Sequence, residues 1–442
     1  MKKTLKRFTI VFLMLLLASH QVFAQRTLHV SMAGSNRNDG SRASPLRNIA
    51  RAIELANAGD IIFVAEGNYF GMLDRGDIIV NKPLTIRGGF SPDFATRDVL
   101  RFLTMIQPSP ESNGTAHDQG TMQINVTAAN TEVVIDGFIF DRGNTISYNA
   151  RGEGRPDGVE SAMMNPIGTS GNGGPDLTTA SVLTKASAIL RVGGNSNITI
   201  RNCAFINAPH FAIQGTIQGD ITITNCIFVN SRMAAVEVAG GSASRDSNCT
   251  FTYNTILFSW SRLRDFADMG YGFRYGTRMN SYVTHNIIGL STFSGLDRTR
   301  VDSDRNRESR RITTAEHNVF FLNKQGDLTI PGGGMFQRIS ANQFDDVMEL
   351  AEVSGNRVLT DPAAFRGRIN QAYLTGFLNA SYRETTDLDR NSPANQFRSA
   401  MGLPIQGTMQ SAATMYANRY PWREALQLFG AMQGVGAQAI RN

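Results

Sequence analysis

Two decapeptides, ITIRNCAFIN (198–207) and ITITNCIFVN (221–230), align Ile200 with Ile223, Asn202 with Asn225, Cys203 with Cys226 and Phe205 with Phe228. Weaker copies follow as FTYNTILF (251–258), YVTHNIIG (282–289) and AEHNVFFLN (315–323), and precede as LTIRGGF (84–90) and VVIDGFIF (133–140). A unit of this length cannot bury its own apolar face, so neighbouring units must stack and the chain must form a solenoid. Each unit is a short β-branched and aromatic run, a turn residue and a second short run, which leaves no room for a repeating helix. That pattern predicts an all-β fold, a single-stranded parallel β-helix with one coil per repeat. Asn202, Asn225, Asn254, Asn286 and Asn318 are expected to stack as one ladder at a corner, bonding turn backbone and one another. Cys203 and Cys226 then lie in adjacent coils about 4.8 Å apart. The separation permits a disulfide and suits two small buried thiols equally well.

The flanks read differently. Residues 1–24 combine a basic start (Lys2, Lys3, Lys6, Arg7), an apolar run and Val22-Phe23-Ala24, the pattern of a cleaved secretory signal. The run is short for a membrane span, and no later segment is longer. The chain is therefore expected to be exported to the periplasm, the outer surface or the medium, and to be a monomer. Without those residues the formal net charge falls from +6 to +2. That is too little for a nucleic-acid binder, which concentrates basic residues on one face. The β-helix is expected over 25–330, opened by a helical cap whose apolar positions include Ile49, Ile53 and Leu55. It is expected to carry long loops at 142–180 and 295–311, the second with six arginines and four acids. Residues 331–442 lose the repeat, and PWREALQLFGAMQ (421–433) predicts an irregular, partly helical end region.

Aligning the coils on the asparagine corner brings Gln214 (FAIQG), Glu237 (AVEVA) and Arg274 (GFRYG) to the same place on three successive strands. Their neighbours alternate apolar, so these three side chains should point outward. A column of Gln, Glu and Arg on an exposed sheet can bind a sugar polymer; it can equally be a surface ion pair of little energetic weight. His210 borders the column. His285 and His317 stack because the repeat forces them to.

The segments GSNRNDGSRASPLRNIARAIELANAGDIIFVAEGNY and KPLTIRGGFSPDF, with the coil repeats, resemble the pectin-lyase-like right-handed β-helix proteins over most of residues 26–330. The resemblance implies a right-handed coil and a polysaccharide ligand, often acidic. GFRYGTRMNSYVTHNIIG also resembles the catalytic segment of polysaccharide lyase family six, the chondroitinase B and alginate lyase type. That likeness implies a catalytic role for Arg274 and a calcium ligand at Glu237; the candidate substrate-binding residues are Gln214, Glu237, Arg274 and Tyr275. The match is incomplete, since Ala235 stands where a second glutamate is expected and no lysine base follows. Arg245 is the nearest basic residue, and Arg245, His210, Tyr271 and Tyr275 are the candidate bases, with no spacing rule among them. The paired carboxylates of β-helix polygalacturonases and the Asp-Pro-His of mannuronan epimerases are absent. β-Elimination next to a uronate requires a neutralised carboxylate and a base in reach of the C5 proton. Two readings follow: an exported β-helix that binds an acidic polysaccharide or serves as a scaffold, and a lyase acting through Arg274, Glu237 and calcium.

Overall fold

The computed structural model describes residues 25–70, 78–107, 121–141, 188–208, 211–231, 233–241, 245–260, 270–298, 314–332, 335–347, 350–379, 390–405 and 420–440. The signal-like segment, His210, the 142–180 stretch and residues 299–311 of the arginine-rich stretch lie outside them. Three sheets run along the coil axis. Sheet 1 holds ten described strands from Thr27–Val30 to Val353–Ser354, sheet 2 nine from Gly67–Phe70 to Arg357–Val358, and sheet 3 nine from Ile78–Val80 to Met335–Ile339. Every pairing is parallel except the last of sheet 3, Gly326–Gly332 with Met335–Ile339. Successive coils therefore stack in register, as Thr199↔Thr222 and Phe205↔Phe228 show. The architecture is the parallel β-helix that the repeat predicts.

The core is a ladder of like on like. Phe140, Phe205 and Phe228 stack at ring separations of 4.7 and 5.2 Å, and Phe251 meets Phe273 at 4.6 Å. Offset aromatic pairs of this kind add about 0.5–1.5 kcal/mol each beyond their buried area. The helix Ile49–Leu55 buries Ile49, Ala52 and Ile53 against the first strands, closing the open end of that core. Cys203 and Cys226 are free buried thiols, so no disulfide joins the two coils.

Three expectations are corrected. The five asparagines form two columns rather than one. Asn202 and Asn225 adopt positive φ, a place taken in later coils by Tyr253, His285 and His317. Asn254, Asn286 and Asn318 sit one residue later, over Cys226, and pass a chain of bonds in which each backbone N–H donates to the next coil's side-chain oxygen, ending at Asn356. The strand register, Thr224↔Thr252, forces this offset. Residues 294–298 are not loop but the strand Ser294–Arg298, with every residue buried, because Asp297 finds a charge partner on the strand before it. The C-terminal region is not an end piece. After the coils run on to Val358, its helices Gln371–Asn379 and Pro393–Ala400 and the segment from Tyr420 fold back, and Phe365, Leu374, Phe377 and Leu428 pack on Ile206, Val229, Leu257 and Phe321 of sheet 2.

Candidate functional site

Sheet 2 is covered on its outer side, which leaves the outward residues of sheets 1 and 3 as repeating surfaces, and the predicted residues lie on sheet 3. Strand register places Gln123, Arg191, Gln214, Glu237, Arg274, Asp297 and Thr329 in one unbroken column. The three residues predicted to align, Gln214, Glu237 and Arg274, are its middle. Arg191, the polar position of an otherwise apolar strand (AILRVGG), and Asp297, which stands in the polar strand SGLDR, are not among the predicted residues.

The side chains form a linked series. Gln214 Nε2 donates to Glu237 Oε1 at 3.0 Å, and Arg274 Nη1 donates to Glu237 Oε2 at 3.3 Å. Arg274 Nε lies 2.8 Å from Asp297 Oδ2, and Thr329 Oγ1 donates to Asp297 Oδ1 at 2.5 Å. The Arg274 guanidinium also lies over the Tyr271 ring, 4.9 Å from its centroid. Arg274 is thus held between two carboxylates and an aromatic face, which fixes a long side chain that would otherwise sample many rotamers. Asp297 is fully buried. Burial pushes its carboxyl up to about 7, against the opposing pull of Arg274 and the Thr329 hydroxyl.

Beside this column runs a second one of small residues, Asn125, Gly193, Thr216 and Ala239. It leaves a shallow shelf along the charged row. Gly215 lies between the two columns, and a Cβ there would overlap the Val192 carbonyl of the previous coil. The residue has to be glycine for the coils to close up.

The other candidates fall elsewhere. Tyr275 is corrected to a core residue, because strand alternation that turns Arg274 outward turns Tyr275 inward, beside Phe273. Arg245 pairs with Asp220 at 2.9 Å at the approach to sheet 1 and is not part of the column. His210 lies outside the described residues. The surroundings of Glu237 do not suit calcium, which takes six to eight oxygen ligands. Both Glu237 oxygens already accept bonds from Gln214 and Arg274, and a guanidinium at that distance repels a cation.

Residues 32–257 match the family described as a protein of unknown function, DUF1565, and residues 187–349 match a family described as right handed beta helix region. A Bacillus subtilis (strain 168) protein, the uncharacterized protein YwoF, is 39% identical over 61 residues, which span 14% of this chain and 13% of that one. Among solved structures, a rhamnogalacturonan lyase aligns over 93% of this chain and 99% of its own at 12% identity and a TM-score of 0.35. The pectate lyase Pel9A aligns over 90% and 91% at 12% identity and a TM-score of 0.33. The complex of XylC with xylose aligns over 76% and 68% at 10% identity, also with a TM-score of 0.33. With the three parallel sheets, the helix-region match makes the coil right-handed.

Proposed function

The chain belongs to the DUF1565 family, and we propose that it is an exported β-helix protein that binds an acidic polysaccharide along the outward column of sheet 3. The observation that carries this reading is the partly exposed stretch of the column: Gln123, Arg191, Gln214, Glu237 and Arg274 repeat at one side chain per coil beside a shelf of small residues. Coils about 4.8 Å apart offer a ladder of donors and acceptors to a ligand that itself repeats hydrogen-bonding groups. A polysaccharide is such a ligand. The guanidiniums of Arg191 and Arg274 supply the fork that matches a uronate carboxylate. Arg274 is also already oriented by Glu237 and Asp297, so little ordering cost falls on binding.

A second reading, uronate elimination, is favoured by one observation. Asp297, a carboxyl held near 7, lies 2.8 Å from Arg274, so that the arginine's environment changes charge near neutral pH. One experiment separates the two. The purified protein is titrated with alginate, polygalacturonate and chondroitin sulfate, and with neutral dextran as control, while the absorbance of unsaturated uronate ends is followed. Binding of an acidic polymer without that absorbance is expected. Arg274→Ala should weaken binding about tenfold or more, since a charged hydrogen bond is worth about 1.5–3 kcal/mol. New absorbance that Arg274→Ala abolishes would replace the binding reading with the lyase one, and equal affinity for dextran would end both.

A further inference from the structure

The outer face of sheet 1 carries more positive charge around one carboxylate than neutralising it requires. Asp136, the last residue of the strand Glu132–Asp136, is almost wholly buried and meets three arginines. Arg97 Nη2 donates to Oδ1 at 2.7 Å and Asn202 Nδ2 to the same oxygen at 2.9 Å. Arg201 Nε donates to Oδ2 at 3.1 Å, and Arg87 Nε lies 3.5 Å from that oxygen. A carboxylate offers about four lone-pair sites; three of these groups bond it, and the Arg87 Nε stands close by without a hydrogen bond. One guanidinium would neutralise Asp136; the other two leave the cluster with a surplus of two positive charges. Arg97 spends its remaining reach on the carbonyls of Gly88 and Asp136. Arg87 and Arg201 differ: they stand on the strands either side of Asp136 and converge on a single oxygen. Their side chains are 33% and 43% exposed, and among the described residues their Nη groups have no protein acceptor. Thr224 follows Arg201 in the same column and adds a hydroxyl. Burial and the two neighbouring arginines already press the Arg87 guanidinium below its ordinary pKa.

We propose that Arg87 and Arg201, held by Asp136 and backed by Arg97, form a binding site for a tetrahedral oxyanion, sulfate or phosphate, free or carried as an ester. Two convergent guanidiniums offer such an anion the paired N–H donors it accepts best. The surplus charge of two matches a dianion. The site stands on a different sheet from the Gln214–Arg274 column, and it does not depend on the function proposed for that column.

The test is the unfolding midpoint of the intact protein against inorganic sulfate and against a monosaccharide sulfate ester, at ionic strength held constant with chloride. An anion bound only by the folded chain raises the midpoint with a saturable dependence on its concentration. A general salting-out effect of sulfate does not saturate and is shared by every variant. Saturable stabilisation of the wild type is expected, with the apparent affinity reduced about tenfold or more in Arg87→Gln and in Arg201→Gln. Arg201→Lys keeps a charge beside Asp136 but not the fork; it should fold like the wild type and bind more weakly. A response to the free anion alone or to the ester alone upholds the site and names its source. An identical, non-saturating response in wild type and all three variants overturns it.

Discussion

At the residue scale, Asp297 holds the most information. Its carboxyl titrates near 7 in the folded chain and near 3.9 unfolded, so the folded state keeps the proton longer. The sign follows: between about pH 4 and pH 7 the folded form binds more protons, so this residue's contribution to stability falls as pH rises and is constant outside that window. The full span is at most about 4 kcal/mol. Asp297→Asn has no such proton, and its stability relative to wild type should therefore improve from pH 4 to pH 7 in urea unfolding. A difference that stays flat across the window would show that Asp297 is ionised throughout. Arg274→Ala should move in the opposite direction with pH through the same pair. At pH 8 it strands a buried carboxylate and should cost about 3–5 kcal/mol, and at pH 5, where Asp297 is protonated, markedly less. Much of this row is legible from sequence, because Gln214, Glu237 and Arg274 each interrupt an apolar alternation at a fixed distance from a corner. Asp297 is not, since SGLDR opens a run so rich in charge that it reads as solvated loop. Arg191 is hidden differently: it follows a long stretch of sequence with no repeat to align it to.

At the scale of elements, the corner is where stacking is decided. Asn286 accepts from the Asn254 N–H at 2.8 Å and donates to the Phe251 carbonyl at 2.8 Å and to Asn318 Oδ1 at 3.0 Å, all buried. Asn286→Ala leaves a buried donor and two buried acceptors without it, an expected loss of about 2–4 kcal/mol. Thr222→Ala on the outer face of sheet 1 should stay within about 0.5 kcal/mol. Equal losses in the two variants, measured by chemical denaturation, would remove the ladder from the account. Gly215→Ala should be as harmful as the asparagine change, since backbone from the previous coil fills the space a methyl needs. The asparagines are visible in the sequence as a repeating letter, but their column is not. A match of letters does not reveal that Cys203 and Cys226 occupy the inner place in earlier coils, with Asn202 and Asn225 moved one residue out to positive φ. Register, set by hydrogen bonds along whole strands, overrides the alignment of a single residue.

For the whole molecule, the repeat specifies the prism but not what covers it. The C-terminal region carries no repeat, and its apolar residues are spread through short helices, so its docking face can be seen only once sheet 2 exists. Removing residues 359–442 should expose Ile206, Val229, Leu257 and Phe321 together. A patch of that kind drives association, so the shortened chain should aggregate, as light scattering would report. A monodisperse, folded product would show that the covering is dispensable.

The covering segment also changes how the stack comes apart. Tyr420 exchanges two hydrogen bonds with Asn207, Gln438 N–H donates to Asn225, Ala437 N–H to Thr255 and Gly436 N–H to the His285 carbonyl. One short stretch of chain is thereby stitched across four successive coils. A bare solenoid frays from its ends, one rung at a time. Here the middle rungs are laced to a common thread, so loosening any one of them strains the lacing to the rest, and the central coils should open as a block while the rungs on either side still breathe singly.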